Sequence, residues 1–338
     1  MNNARYLIVL WISGNCNLSC KYCYAHEKCS ENMNFETAKA ILDKMKNYPL
    51  TIQFAGGEPM LNFDLIEKIC EYIKENSIDA VLQMQSNGTL INEYNARKIK
   101  ELKIAIGISL DGKKAINEQV RGATNKVLQG IMELRNQAVM INLNAVVTKY
   151  NVEHLDELID LSLWLGNVGG IGLDLLRNAG SAINCFENLQ ITKEQLVNGL
   201  KKMHERANEI ENLSGKKIGI REIEKAKKRL GKNTKSENYC YASIAHSIVV
   251  LPNGKLYPCG SLINEKYFMG TATDFSLENV KCTSCKKPTK CANCKYNFYC
   301  VGSCPSRAIV NGSTDLDCVL AKTSFEIAER ITNFENFN

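Results

Sequence analysis

The chain has 338 residues, 45% hydrophobic and 23% charged, which is length enough for one large α/β domain plus a smaller one in an ordinary globular composition. Its net charge of +6 makes no electrostatic case for nucleic acid as a partner. No apolar run approaches the roughly 18 residues of a membrane span, and "YLIVLWI" lacks the basic start and small-residue cleavage site of a signal peptide, so a cytoplasmic protein with no membrane partner is expected.

From residue 5 to 176, short apolar runs alternate with helical patterns. The expected strands are Tyr6–Ile12, Leu50–Phe54, Ala80–Ser86, Ile104–Ser109, Ile141–Val147 and Ile171–Leu176. Between them, stretches such as "FETAKAILDKMKNY" and "NFDLIEKICEYIKEN" repeat apolar residues every three to four positions, the helical period. Asn34, Asn62 and Asn92 stand where helix N-caps belong. Six strands alternating with helices imply a parallel sheet and fall short of the eight units of a closed barrel. The expected fold is α/β, a partial (βα)6 TIM-like barrel.

Thr192 to Leu230 reads as helical and lysine-rich, and 231 to 238 as a polar linker. Nine of the fifteen cysteines then fall between Cys240 and Cys318, too closely spaced for a disulfide framework. In a reducing compartment such clusters bind metal. We therefore expect a barrel with a helical extension over 1–230 and a metal-dependent domain over 231–338, closed by a helix from Val319 to Phe334 that packs on the barrel.

"CNLSCKYC" places Cys16, Cys20 and Cys23 directly after the first strand. A structural zinc site closes with four protein ligands. Three cysteines on a [4Fe–4S] cluster leave one iron open to a ligand that is not protein; a structural loop borrowing a distant fourth cysteine is the alternative. "FAGGEP" ends the second strand, where Gly56 and Gly57 allow backbone to approach a ligand, Pro59 closes the turn and Glu58 offers an acceptor to an ammonium group. "SNGT" (Ser86–Thr89) and "SLDG" (Ser109–Gly112) end the third and fourth strands. In a barrel these strand ends line the working face.

On these residues the chain resembles the radical SAM enzymes, whose signature is this cysteine spacing with an aromatic residue, here Tyr22, before the last cysteine. The resemblance implies that S-adenosylmethionine fills the open iron and is cleaved to a 5′-deoxyadenosyl radical. It further implies that Gly56, Gly57, Glu58 and Pro59 bind the methionyl amine, and that Ser86, Asn87, Ser109 and Asp111 contact ribose and carboxylate. Arg121 is a candidate for the carboxylate, or a surface arginine.

Cys240, Gly254 and Cys259 (C-x13-G-x4-C), then C-x2-C-x5-C-x3-C at Cys291, Cys294, Cys300 and Cys304, then Cys318, match the SPASM extension of that family in every interval. By that resemblance Cys291, Cys294, Cys300 and Cys318 hold one auxiliary [4Fe–4S] cluster, and Cys240, Cys259 and Cys304 another, three clusters in all. A pair of zinc ribbons is the bland alternative. Cys282 and Cys285 ("CTSC") fall outside the core spacing; either completes the second auxiliary cluster, or both are idle. Cys29, Cys70 and Cys185 fit no ligand spacing, and Cys70 reads as core. The catalytic candidates are Asp174 on the sixth strand and, as hydrogen-atom donor, Cys185.

The expected activity is hydrogen abstraction from a peptide or protein side chain, giving a crosslink or an oxidation, with a ferredoxin or flavodoxin as reductant. In the sulfatase-maturing branch an aspartate follows the cysteine of G-x4-C as base; Gly260 stands here, which argues against formylglycine formation. The barrel begins within ten residues of the start, so a peptide substrate calls for a separate recognition chain or leaderless recognition. The alternatives are a family member acting on a tetrapyrrole or other cofactor precursor, and a non-enzymatic iron–sulfur carrier or sensor. A carrier has no use for the "GGEP", "SNGT" and "SLDG" set.

Overall fold

The computed structural model describes residues 5–25, 31–232, 238–284 and 286–335. Its frame is one nine-stranded sheet in the order β7-β6-β5-β4-β3-β2-β1-β8-β9. The strands are β1 (Tyr6–Ser13), β2 (Leu50–Gly56), β3 (Ala80–Ser86), β4 (Ala105–Ser109), β5 (Ile141–Val147), β6 (Val168–Leu175), β7 (Gly219–Ile220), β8 (Ser247–Val250) and β9 (Leu256–Tyr257). The helices are α1 (Phe35–Met45), α2 (Phe63–Glu75), α3 (Glu93–Glu101), α4 (Lys114–Val120), α5 (Thr124–Asn136), α6 (Asp156–Leu165), α7 (Phe186–Leu189), α8 (Lys193–Ser214), α9 (Arg221–Lys232), α10 (Pro305–Asn311) and α11 (Asp315–Glu335).

Strands β1 to β6 are parallel and in chain order, with Tyr6 opposite Leu50 and Leu50 opposite Ala80. They form the partial barrel expected from the alternation of strand and helix. One residue set of each strand faces the helices: Ile8, Leu10, Ile52, Phe54, Ile108 and Leu143 are fully buried there. On β2 to β6 alternate positions face inward and many are polar or small. Gln53, Gln83, Gln85, Asn142, Asn144, Gly170 and Gly172 line an interior cavity of about 450 Å3.

Three details depart from the sequence reading. The single helical stretch expected over 192–230 is broken: α8 ends at Gly215, which lies in the left-handed region (φ +69°), and β7 then joins the sheet beside β6. Helix α9 runs through Gly231 to Lys232 rather than stopping there. Asn34 and Asn92 cap their helices through Thr37 and Asn95, but Asn62 makes no capping bond and donates to the Met33 carbonyl instead. The cysteine-rich region also contributes to the common sheet, because β8 pairs in parallel with β1, Leu7 opposite Ser247. Helix α11 packs against α8 and α9. No helix among the described residues is long and apolar enough to cross a membrane, and all thirteen described cysteines are free thiols.

Candidate active site

The loop after β1 carries Cys16, Cys20 and Cys23, and the end of β2 is laced to it. Gly57 N–H donates to the Ser13 carbonyl and Glu58 N–H to the Asn15 carbonyl, each at 2.8 Å. A Cβ on Gly56 would lie 2.3 Å from Ser13 O, and one on Gly57 would lie 2.1 Å from Asn15 O. The two glycines of "FAGGEP" therefore serve an approach of chain to chain. That lacing fixes the cysteine loop over the C-terminal end of the barrel. N–H groups point at the sulfurs: Leu18 N at 3.5 Å and Asn87 Nδ2 at 3.9 Å from Cys16, and Arg121 Nη1 at 3.9 Å from Cys20. Burial raises the Cys20 thiol above its ordinary value, and the Arg121 charge opposes that rise.

Glu58 is 1% exposed, and among the described residues it has no ion-pair partner. Oε1 accepts from Met60 N–H at 3.1 Å and from Ser86 Oγ at 2.8 Å, while Oε2 accepts from Asn87 N–H at 2.7 Å. Burial pushes its carboxyl up to about 7 despite these bonds. A carboxylate offers about four acceptor positions, so Oε2 keeps one to spare. Asn87 ties this group to the cysteine loop, since its backbone bonds Glu58 while its amide reaches Cys16. The Ser86 hydroxyl is spent on Glu58 and on accepting from Gly88 N–H. Pro59 opens the 3₁₀ turn that Glu58 caps.

Asp111 is the second buried carboxylate of the site. It accepts from the Tyr22 hydroxyl, from Arg121 Nε at 3.1 Å and from Val146 N–H at 2.9 Å. Its bonds thus hold Tyr22 and Arg121, with the guanidinium 5.2 Å above the Tyr22 ring. Arg121 is no surface arginine: its side chain is 12% exposed and its charge is reinforced by Asp111. The Ser109 hydroxyl ends a polar chain that crosses the barrel. Arg221 Nη1 donates to Asn144 Oδ1 at 3.1 Å, Asn144 Nδ2 to Gln85 Oε1 at 2.6 Å, and Gln85 Nε2 to Ser109 Oγ at 2.9 Å. Gly172 leaves the room that Arg221 occupies, since a Cβ there would lie 2.3 Å from Nη1.

Across the mouth, Asp174 pairs with Arg177 at 2.6 Å and with Arg307. The two cations hold its carboxyl well below the usual carboxylate range against the pull of burial. Arg177 lies 5.5 Å above the ring of Tyr24, which is within electrostatic reach of both Cys23 and Cys259. Cys185 donates to the Lys21 carbonyl at 3.4 Å, beside the cysteine loop. Arg307 is 5% exposed and also bonds the Asp317 carboxylate at 2.7 Å and the Tyr239 hydroxyl at 3.1 Å. Asp317 in turn accepts from Cys304 N–H at 3.1 Å. In the C-terminal region Cys318 lies within electrostatic reach of Cys291, Cys294 and Cys300, and Cys240 within reach of Cys304 and Cys259. Cys285 and Cys29 lie outside the described residues. Cys70 sits on the buried face of α2, its thiol raised by burial to about 12, as a core residue.

Among the described residues no three His, Cys, Asp or Glu side chains converge as they would on a single metal ion. A [4Fe–4S] cluster spreads its thiolates over separate irons. Three half-buried sulfurs on one loop, Cys16 set among N–H donors and Cys20 beside the Arg121 cation, suit that donor set. The family model of the radical SAM superfamily matches residues 12–162, which span the loop, the four strand ends and Arg121. A Methanocaldococcus jannaschii protein of uncharacterised function is 35% identical over 75% of this chain and 85% of its own. The chain belongs to the radical SAM superfamily.

As a radical SAM protein it is an enzyme that binds S-adenosylmethionine and carries a [4Fe–4S] cluster. It is similar to the cysteine-type anaerobic sulfatase-maturating enzyme of Clostridium novyi, 26% identical over 93% of this chain and 92% of that one. It is also similar to the Fe-coproporphyrin III synthase of Methanosarcina barkeri, 33% identical over 46% of this chain and 40% of that one. Among solved structures, native anSMEcpe with bound AdoMet and Cp18Cys peptide superposes with a TM-score of 0.81, at 23% identity, over 98% of each chain.

These matches overturn the exclusion drawn from Gly260. Sulfatase-maturating enzymes align over nearly the whole of this radical SAM chain, and an Fe-coproporphyrin III synthase over 46% of it, so the substrate is not read from one residue. The physical reason is visible in the structure. A Cβ at Gly260 would meet Trp11 at 3.6 Å and Tyr24 at 3.9 Å, ordinary contacts. The backbone there does not require glycine, and the missing aspartate is a side-chain difference in an intact site. Sequence reasoning missed Tyr24, Gln85, Asn144, Arg177, Arg221 and Arg307. Polar residues alternating within apolar strands were the available signal for Gln85 and Asn144, and the strand-end position was the signal for Arg177.

Proposed function

We propose that Cys16, Cys20 and Cys23 hold the radical-generating cluster, that Glu58 receives the ammonium of S-adenosylmethionine, and that Arg121 receives its carboxylate. The observation that carries this reading is Glu58. It is a buried carboxylate raised to about 7, with a spare acceptor position and no cation bonded to it, one residue contact away from Cys16. A bound ammonium supplies the missing countercharge. A cluster held by these three thiols would supply the electron for reductive cleavage of the cofactor's sulfonium. The chain's own residues do the positioning: Asp111 holds Arg121 and Tyr22, Gln85 holds the Ser109 hydroxyl toward the ribose, and the barrel fixes all of them on one face.

Residues 231–338 form, in this reading, the auxiliary-cluster domain, with Cys291, Cys294, Cys300 and Cys318 on one [4Fe–4S] cluster and Cys240, Cys259 and Cys304 on the other. The reductant is a ferredoxin or flavodoxin. A peptide partner is supported by the peptide bound to the structural neighbour, and a tetrapyrrole precursor by the match to the coproporphyrin synthase.

Replacing Cys16, Cys20 and Cys23 together with alanine tests the assignment. The variant is expected to form no 5′-deoxyadenosine while keeping its auxiliary iron. Continued 5′-deoxyadenosine formation would refute it.

A further inference from the structure

By the reading above, one auxiliary cluster has three thiols and an open iron. The structure offers it a fourth. Cys240 begins a 3₁₀ turn, Tyr241–Ile244, and its sulfur accepts from the backbone N–H of Ser243. The carbonyl of that same Ser243 accepts from the Cys282 thiol at 3.0 Å, and Thr283 N–H donates to the Ala242 carbonyl at 2.9 Å. Two sulfurs separated by 42 positions in the chain therefore rest on the two ends of one residue. Cys240 is also the thiol that Cys259 and Cys304 reach. The strap carrying Cys282 is thus docked on the Cys240 turn, within whose electrostatic reach Cys259 and Cys304 lie.

We propose that Cys282 is the fourth ligand of the cluster held by Cys240, Cys259 and Cys304, a proposal that rests on the auxiliary-cluster reading. As a neutral thiol Cys282 gives its proton to the Ser243 carbonyl. As a ligand it is a thiolate, and the half-buried Ser243 carbonyl is left to water. The consequence is chemical. A cluster with four protein thiolates has no open iron, so it exchanges electrons with its surroundings and does not coordinate substrate. Only the Cys16–Cys20–Cys23 cluster then has an open position.

The test uses the full chain, anaerobically reconstituted, with Cys16, Cys20 and Cys23 replaced by alanine so that only auxiliary clusters remain. It should hold about eight irons, four per cluster, and its reduced electron-paramagnetic-resonance spectrum should ignore added cyanide. Adding Cys282→Ala should either remove about four irons or leave a spectrum that cyanide changes. Adding Cys285→Ala instead should do neither. The proposal is overturned if the parent already responds to cyanide, if Cys282→Ala changes neither iron nor response, or if Cys285→Ala produces the effect. A parent with fewer than about eight irons overturns the auxiliary-cluster reading itself, and the proposal with it.

Discussion

Glu58 makes the cofactor site pH-dependent in a way that can be worked out beforehand. In the cofactor-free chain its carboxyl titrates at about 7, raised by burial from an ordinary value of 4.5. An ammonium binds the ionised form, so proton and cofactor compete for one oxygen pair. The apparent dissociation constant should scale as one plus the ratio of proton concentration to the acid constant, which makes binding at pH 6 about elevenfold weaker than at high pH. The same shift has a sign for stability. A carboxyl raised in the folded state favours folding while protonated, and that contribution fades as pH rises from 4.5 through about 7, by about 3 kcal/mol in the cofactor-free protein. Glu58→Gln abolishes both slopes. Its single oxygen can serve Met60 and Ser86 or else Asn87, so one buried N–H loses its acceptor, at a cost of about 1–3 kcal/mol. At pH 7.5 the variant should bind S-adenosylmethionine five- to thirtyfold more weakly, roughly 1–2 kcal/mol. Anaerobic titration of the cofactor against the reduced-cluster spectrum, from pH 5.5 to 7.5, reads this directly. A wild-type affinity that is flat across that range, or a slope that survives in Glu58→Gln, would refute the reasoning.

Gly57→Ala sets a Cβ 2.1 Å from the Asn15 carbonyl, so the cysteine loop must move; reconstituted protein should lose about four irons, as iron analysis would show, and full iron would mean the loop yields freely. Arg307→Met leaves Asp317 buried without its cation and should lower stability to anaerobic chemical denaturation by about 3–5 kcal/mol. A loss below 1 kcal/mol would mean that the hub at Tyr239, Asp174 and Asp317 is held by other contacts. Arg177 and Arg307 keep Asp174 ionised throughout the working range, so it cannot act as a base titrating near neutrality. Asp174→Asn should therefore retain the acid limb that Glu58 gives to 5′-deoxyadenosine formation; disappearance of that limb would give Asp174 a base's role.

The alternation of six strands with helices is legible in the chain's own pattern, because the apolar faces that pack the barrel repeat locally with periods of two and about three and a half. So are the cysteine triplet, "GGEP", "SNGT" and "SLDG", because the strand ends that build this face each carry their own short motif. What those groups do to one another is not legible there. Gly56 and Gly57 read as making room for a ligand, and they also make room for the cysteine loop. Asp111 reads as a ligand contact, and its oxygens also hold Tyr22, Arg121 and Val146. Tertiary structure alone decided these, because each depends on a partner tens of residues away whose approach no local pattern records. The same holds for Arg307, which joins Asp174 to Asp317 across 143 positions, for Cys282 resting beside the Cys240 turn, and for the lifted carboxyl of Glu58. Burial raises that group only because the β2–β3 strand ends and the cysteine loop close over it, and burial is a property of the packed chain.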